Sequence, residues 1–238
     1  MRRVVWYAGK KYYRIVPFLV IGYMLVIFAA ALAGITQAVS PTAMGRNLIV
    51  IDPGHGGYDP GAITSQGIYE KDINLAISKK VKTKLAESGM KAVLTREDDR
   101  DYAGGGSSRK TKKQTDLDYR ISLVEGLNPE VLVSIHVNAS AGGNNSGAEA
   151  FYQEGSDQGK ALAECVQVEL RKIPSMTKRV AKSGEFYLTR NTKVAAIIVE
   201  LGYLSNPVDR RKLLQNSYQD QLANAIAAGI INYLAGLK

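Results

Sequence analysis

The 238-residue chain has one cysteine, Cys165, and two histidines, His55 and His136. A single thiol closes no internal disulfide and builds no Cys-rich zinc module, so a disulfide-stapled scaffold and a zinc finger are both excluded. No HExxH helix, no Walker-type phosphate loop and no GxSxG elbow occurs, which argues against three common routes to hydrolysis or nucleotide chemistry. Acidic residues are missing altogether before Asp52, while Arg2, Arg3, Lys10, Lys11 and Arg14 precede it. Of the formal charge of +9, five units therefore belong to the N-terminal stretch. The rest, with 26 basic and 22 acidic residues, carries +4; a basicity that is largely N-terminal is weak evidence for nucleic-acid binding, which takes a basic face or stripe on the folded part, and no nucleic-acid partner is expected. With 45% hydrophobic and 22% charged residues, the composition is that of a folded protein.

Charge is also absent from Ile15 to Gly45, and Phe18 to Ile35 is a nearly unbroken apolar run of 18 residues. As a helix it would cover about 27 Å, close to the hydrocarbon thickness of a bilayer. The cations ahead of it, with Trp6, Tyr7, Tyr12 and Tyr13 at its border, predict a transmembrane or signal helix oriented N-in, with everything after Arg46 outside the cytoplasm. Ala31-Leu32-Ala33 and Thr36-Gln37-Ala38 both resemble signal-peptidase sites, so a cleaved signal and a retained membrane anchor both stand as readings. A buried core helix is disfavoured because such helices usually keep a polar face. Residues 1–45 are thus assigned to a signal-anchor segment with a Ser40-Pro41-Thr42 linker, and residues 46–238 to one domain.

Beyond the linker, strand and helix signals alternate. Strands are predicted at 48–52, 91–95, 131–137, 148–152, 186–188 and 196–201, and helices over Leu75–Leu85, 118–127, 159–172, 207–215 and 218–237. This β-α alternation predicts a three-layer α/β domain around a mainly parallel sheet. The segment Gly104 to Lys113, GGGSSRKTKK, reads as a basic surface loop, with contact to an anionic polymer as its functional option. Asn206-Pro207 reads as a helix start, and Cys165 shares helical spacing with Leu162 and Val166 as a small core residue.

The two histidines fall at strand ends: His55 just beyond the first strand in DPGHGG, and His136 closing VLVSIH. Glu200 ends the very apolar AIIV strand. The carboxyl edge of an open α/β sheet is where ligands bind, and a carboxylate there faces the crevice or is buried at considerable cost. Two converging imidazoles suggest a divalent metal such as zinc, whose catalytic sites take three protein ligands and leave one position open. Glu70, at the start of the first helix, is the best third ligand, and Asp52, Asp59 and Asp72 compete with it on spacing alone. Ser134 and Asn138 share the His136 strand face and are candidates for hydrogen bonds to ligand or frame.

Five stretches carry a family resemblance: IDPGHGGYDPGA (51–62), YEKDINLAI around Glu70, LTREDD (94–99), DYRISLVEGLNPEVLVSIHVNAS (118–140) and IIVELGYLSNP (197–207). In this order they resemble the zinc-dependent N-acetylmuramoyl-L-alanine amidases of the amidase-3 type, and most of all the sporulation and germination branch. The resemblance implies a six-stranded α/β sheet flanked by helices. It implies zinc ligands at His55, Glu70 and His136 and a catalytic carboxylate at Glu200, and it implies cleavage of the amide between N-acetylmuramic acid and L-alanine in peptidoglycan. For that branch it further implies muramic-δ-lactam formation in the spore cortex together with a peptidoglycan deacetylase, a location in the forespore intermembrane space, and an activating protein as a possible partner. Some relatives carry an inhibitory helical insertion after the fourth strand; only Gln153 to Gln158 fills that gap here. The competing readings are a zinc exopeptidase on wall peptides and a non-catalytic, membrane-tethered glycan-binding module.

Overall fold

A computed structural model describes residues 48–104 and 110–237. The apolar run at 18–35, the linker and the centre of the basic loop lie outside these residues. Among the described residues no helix is long and apolar enough to cross a membrane.

Among the described residues six strands and six helices follow one another: β1 (Leu48–Pro53), α1 (Glu70–Glu87), β2 (Lys91–Leu94), α2 (Lys112–Leu127), β3 (Val131–Asn138), β4 (Glu149–Tyr152), α3 (Asp157–Leu170), β5 (Lys182–Ser183), α4 (Tyr187–Arg190), β6 (Ala195–Tyr203), α5 (Pro207–Leu213) and α6 (Asn216–Gly236). The strands form one sheet in the order β2-β1-β3-β6-β4-β5. The first four run parallel, β4 runs antiparallel to β6, and β5 runs parallel to β4. The sheet is therefore mixed, with a reversed pair at one edge.

Strand residues alternate between two cores, as the period of two requires. Ile49, Ile51, Val133, Ile135, Ile197 and Val199 pack under α1, α3 and α6. The opposite face packs Val50, Leu132 and Ala196 against Val124 of α2 and Leu188 of α4. Further along this thinner face, toward the strand carboxyl ends, the pattern turns polar at Asp52 and Ser134. A cavity of about 270 Å³ opens there, with Ser134, Ile198, His55 and His136 among its lining.

Two expectations are corrected. The predicted strand at 186–188 is the one-turn helix α4, and the sixth strand is instead the two-residue β5. Phe-Tyr-Leu is too short an apolar run to distinguish the states. Packing decides: Phe186 meets Phe151 at 5.5 Å between ring centroids, Leu188 enters the second core, and the Tyr187 hydroxyl donates to Asp118 Oδ1 at 2.7 Å. Helix α2 begins at Lys112, not at 118, so the end of the presumed loop is helical. Thr111 and Gln114 form a reciprocal capping box there, which outweighs the lysine-rich composition.

Candidate metal centre and active site

The carboxyl ends of β1 and β3 and the first residue of α1 meet at one point. After β1 the chain turns through Gly54, whose N–H donates to Ile135 O at 2.9 Å, and His55 takes a left-handed conformation with φ of 62°. The loop to α1 is closed by bridges between Gly56 and Asp59 and between Ile63 and Tyr69. These return the chain so that Glu70 N donates to Ala62 O at 2.9 Å and Ala62 N donates to Glu70 Oε2 at 2.9 Å. Glu70 is buried, and its Oε1 also accepts from Val137 N (3.1 Å) and Asn74 Nδ2 (3.2 Å).

Glu70 Oε1 lies 3.2 Å from His55 Nε2 and 3.1 Å from His136 Nδ1, and one ligand atom from each residue falls within 4.8 Å of the others. Ligands bonded to one tetrahedral zinc at about 2.0–2.1 Å are about 3.3 Å apart. The donor set, two imidazoles and a carboxylate around one point, fits such an ion. The backbone is shaped to it as well. A Cβ on Gly54 would lie 2.2–2.6 Å from three ring atoms of His136, and one on Gly61 would lie 2.5 Å from Glu70 Oε2 and 2.7 Å from His55 Cδ2.

Electrostatics agree with the geometry. Burial would raise the Glu70 carboxyl, but hydrogen bonds and charge from His136 and His55 hold it well below the usual range. Burial would lower His55, yet its hydrogen bonds to Asp59 and Glu70 raise it to about 9. Without an ion, these carboxylates hold a proton on His55, and a metal ligated there would take that proton's place. Asp59 Oδ2 lies 2.8 Å from His55 Nδ1, and Oδ1 accepts from Gly61 N. Occupying Nδ1 leaves Nε2 free to face Glu70, the arrangement by which an outer carboxylate fixes a ligating histidine.

Glu200 sits opposite His136 in the parallel β3·β6 register. Desolvation lifts its carboxyl to about 7, and its Oε2 has no hydrogen-bond partner among the described residues. On its other side, in antiparallel register, is the buried Glu149, which pairs with Arg179 at 3.0 Å and Lys182 at 2.8 Å.

Of the residues the sequence singled out, the structure thus brings together His55, Glu70 and His136, with Glu200 beside His136. The three rival carboxylates part company. Asp59 serves His55, Asp72 is exposed on α1, and Asp52 is buried against Arg120 and Ser134. Ser134 donates to Asp52 Oδ2 at 2.6 Å and so serves the frame, while at Asn138 the main-chain O accepts from Leu204 N. Cys165 packs against the main core. Arg96, Arg120 and Asn74 received no role from the sequence and prove to be buried beside the site.

A sequence profile of the N-acetylmuramoyl-L-alanine amidase family (Amidase_3) matches residues 49–232. The germination-specific N-acetylmuramoyl-L-alanine amidase of Bacillus subtilis is 34% identical over 188 residues, which is 78% of this chain and 79% of that one. Among solved structures, the CwlD amidase from Clostridioides difficile in complex with the GerS lipoprotein superposes with a TM-score of 0.74 at 34% identity, covering 80% of this chain and 100% of that one. The amidase AmiC2 of Nostoc punctiforme gives a TM-score of 0.69 at 37% identity, covering 80% and 98%.

Proposed function

The chain belongs to the N-acetylmuramoyl-L-alanine amidase family and is a CwlD-like peptidoglycan amidase; from that premise we propose that His55, Glu70 and His136 hold a catalytic zinc and that Glu200 is the general base. The observation that carries the assignment is the convergence of His55 Nε2, Glu70 Oε1 and His136 Nδ1 within 4.8 Å, with the part-buried Glu200, whose Oε2 has no partner among the described residues, in the adjoining register. Its substrate, peptidoglycan, places its action outside the cytoplasm.

A zinc ion held there supplies Lewis acidity toward the lactyl amide carbonyl and lowers the pKa of water toward about 7. Glu200, beside His136 and with its Oε2 unpartnered among the described residues, takes a proton from the attacking water as its oxygen adds to the carbonyl carbon. The same carboxyl then delivers that proton to the nitrogen of L-alanine as the C–N bond breaks. The products are the lactyl carboxylate and a free stem amine. Asp59 keeps His55 in one tautomer throughout, and the cavity over Ser134 and Ile198 offers room for substrate beside the reacting amide.

The likeness to the germination-specific amidase and to CwlD supports a role in spore-cortex maturation, where the freed lactyl carboxylate becomes available for muramic-δ-lactam closure after a deacetylase has acted. The GerS complex of the solved relative supports a lipoprotein partner for this chain too. The apolar run at 18–35 would carry residues 46–238 across the membrane and, if uncleaved, anchor them there.

Purified peptidoglycan is incubated with the zinc-loaded chain or its Glu200→Gln variant, and the soluble products are identified by mass spectrometry. Stem peptides beginning with L-alanine appear only with the unaltered chain. Equal release by Glu200→Gln would remove Glu200 from the mechanism, and release of amino acids with the lactyl amide intact would make the chain an exopeptidase.

A further inference from the structure

Three consecutive carbonyls of the turn that presents His55 are held by two buried guanidinium groups. Pro53 O accepts from Arg96 Nε and from Arg120 Nη1, both at 2.9 Å. Gly54 O accepts from Arg96 Nη2 at 2.9 Å, and His55 O from Arg120 Nη2 at 2.7 Å. The two arginines come from unrelated elements, Arg96 from just beyond β2 and Arg120 from the middle of α2, and each is 1% exposed. Arg96 also donates to Lys71 O at 2.9 Å, which ties the first turn of α1, and so the base of Glu70, to the same group.

Closing a turn does not call for this. Gly54, Gly56 and Gly57 already supply conformational freedom, and burying a cation is costly unless it is fully hydrogen-bonded. Arg120 is compensated by Asp52 and Asp116, each at 2.8 Å. By contrast, all four hydrogen bonds of Arg96 go to main-chain carbonyls. What the turn does need is restraint at His55, a non-glycine residue in the left-handed region, where backbone strain persists only if the surroundings impose it. A planar guanidinium fork fixes two carbonyls at once in a set direction, which a single ammonium does not do.

We propose that Arg96 and Arg120 are positioning residues of the metal centre, which clamp the Pro53–Gly54–His55 carbonyls so that the His55 ring meets Glu70 and His136 in ligating geometry. The proposal rests on the reading of those three residues as the metal site, and it adds that ligand placement is imposed from beneath by the two arginines.

The test uses the full chain with Arg96→Lys and Arg120→Lys, both of which keep the charge. Zinc affinity is measured by competition with a chromophoric chelator, coordination by the visible spectrum of the cobalt-substituted protein, and folding by circular dichroism of the metal-free form. The expected result is retained secondary structure, zinc affinity about tenfold to a hundredfold weaker, as for loss of other outer partners of metal ligands, and cobalt bands of reduced intensity as His55 leaves tetrahedral register. Folded variants with the original affinity and cobalt spectrum would overturn the proposal. Should either lysine variant fail to fold, Asp116→Asn weakens the hold on Arg120 Nε while leaving Arg120 itself in place; severalfold weaker zinc binding supports the clamp and unchanged binding refutes it. Failure of the unaltered chain to bind zinc would instead defeat the metal-site reading, whereas equal binding by all variants defeats only the clamp.

Discussion

Acid should loosen the frame of this active site through one identifiable group. Asp52 is buried at the end of β1, where Oδ1 accepts from Arg120 Nη1 at 2.8 Å and from Thr95 Oγ1, and Oδ2 accepts from Ser134 Oγ at 2.6 Å. Burial alone would raise its carboxyl, but the Arg120 charge and these hydrogen bonds outweigh it and hold it at about 2 against an ordinary 3.8. The folded pKa is depressed, so this stability is fully present above about pH 4 and is lost as pH falls toward 2. A lowering of nearly two pH units, at about 1.4 kcal/mol each, is worth about 2 kcal/mol. That is a substantial part of a typical domain stability of about 5–15 kcal/mol. The assay is urea denaturation of the chelator-treated chain between pH 6 and pH 2.5, so that metal release does not contribute, with Asp52→Asn run in parallel. Asparagine removes the titration and leaves Arg120 facing a neutral amide, so the variant starts lower by about 3–5 kcal/mol, the usual cost of breaking a buried pair. Its stability should then fall less steeply over the acid range, by about 2 kcal/mol in total. Parallel curves for the two proteins would refute the assignment of this acid sensitivity to Asp52.

Three further outcomes follow from the site geometry. Glu200→Gln keeps stoichiometric zinc and loses about 10²- to 10⁴-fold in kcat, the usual worth of a general base, whereas His136→Ala loses the metal itself; metal analysis and turnover together separate the two. Asp59→Asn, which replaces the carboxylate 2.8 Å from His55 Nδ1, weakens zinc binding by about tenfold or more without removing a ligand, read by chelator competition. Gly54→Ala places a methyl 2.2–2.6 Å from three ring atoms of His136; the ring must leave, so zinc content and activity fall together while the circular dichroism spectrum stays native, and full activity in that variant would contradict the packing at this turn.

The strand-end placement of His55, His136 and Glu200 was legible because it depends on one rule. In parallel strands the carboxyl ends share an edge, so residues that close apolar runs such as VLVSI and AIIV arrive side by side, as the His136–Glu200 register shows. Glu70 was harder to reach. Spacing alone left Asp52, Asp59 and Asp72 open, because what selects among them is the closure of the 56–69 loop by two isolated bridges, a three-dimensional event with no periodic signature. The strand predicted at 186–188 failed for a related reason: three apolar residues carry no period, and the contacts of Phe186 and Leu188 with other elements settle their state.

The arginine clamp has a signature in the sequence. On α2, Asp116, Arg120 and Val124 follow one another at intervals of four, and all three are buried. The interval puts them on one stripe of the helix, and Val124 belongs to the core. A charged pair that shares a stripe with a core valine has no solvated face to turn to, so it must find partners inside, and the partners available inside an α/β domain near a strand end are the carboxylate and the carbonyls of the turn beyond it. The reasoning extends to Arg96, which follows β2 directly, at the same sheet edge as the turn. A lysine in its place would hold a point charge where four carbonyls converge. Charge on a core stripe, or just past the end of a buried strand, therefore marks the scaffold of a site from sequence, much as histidines at strand ends mark its chemistry.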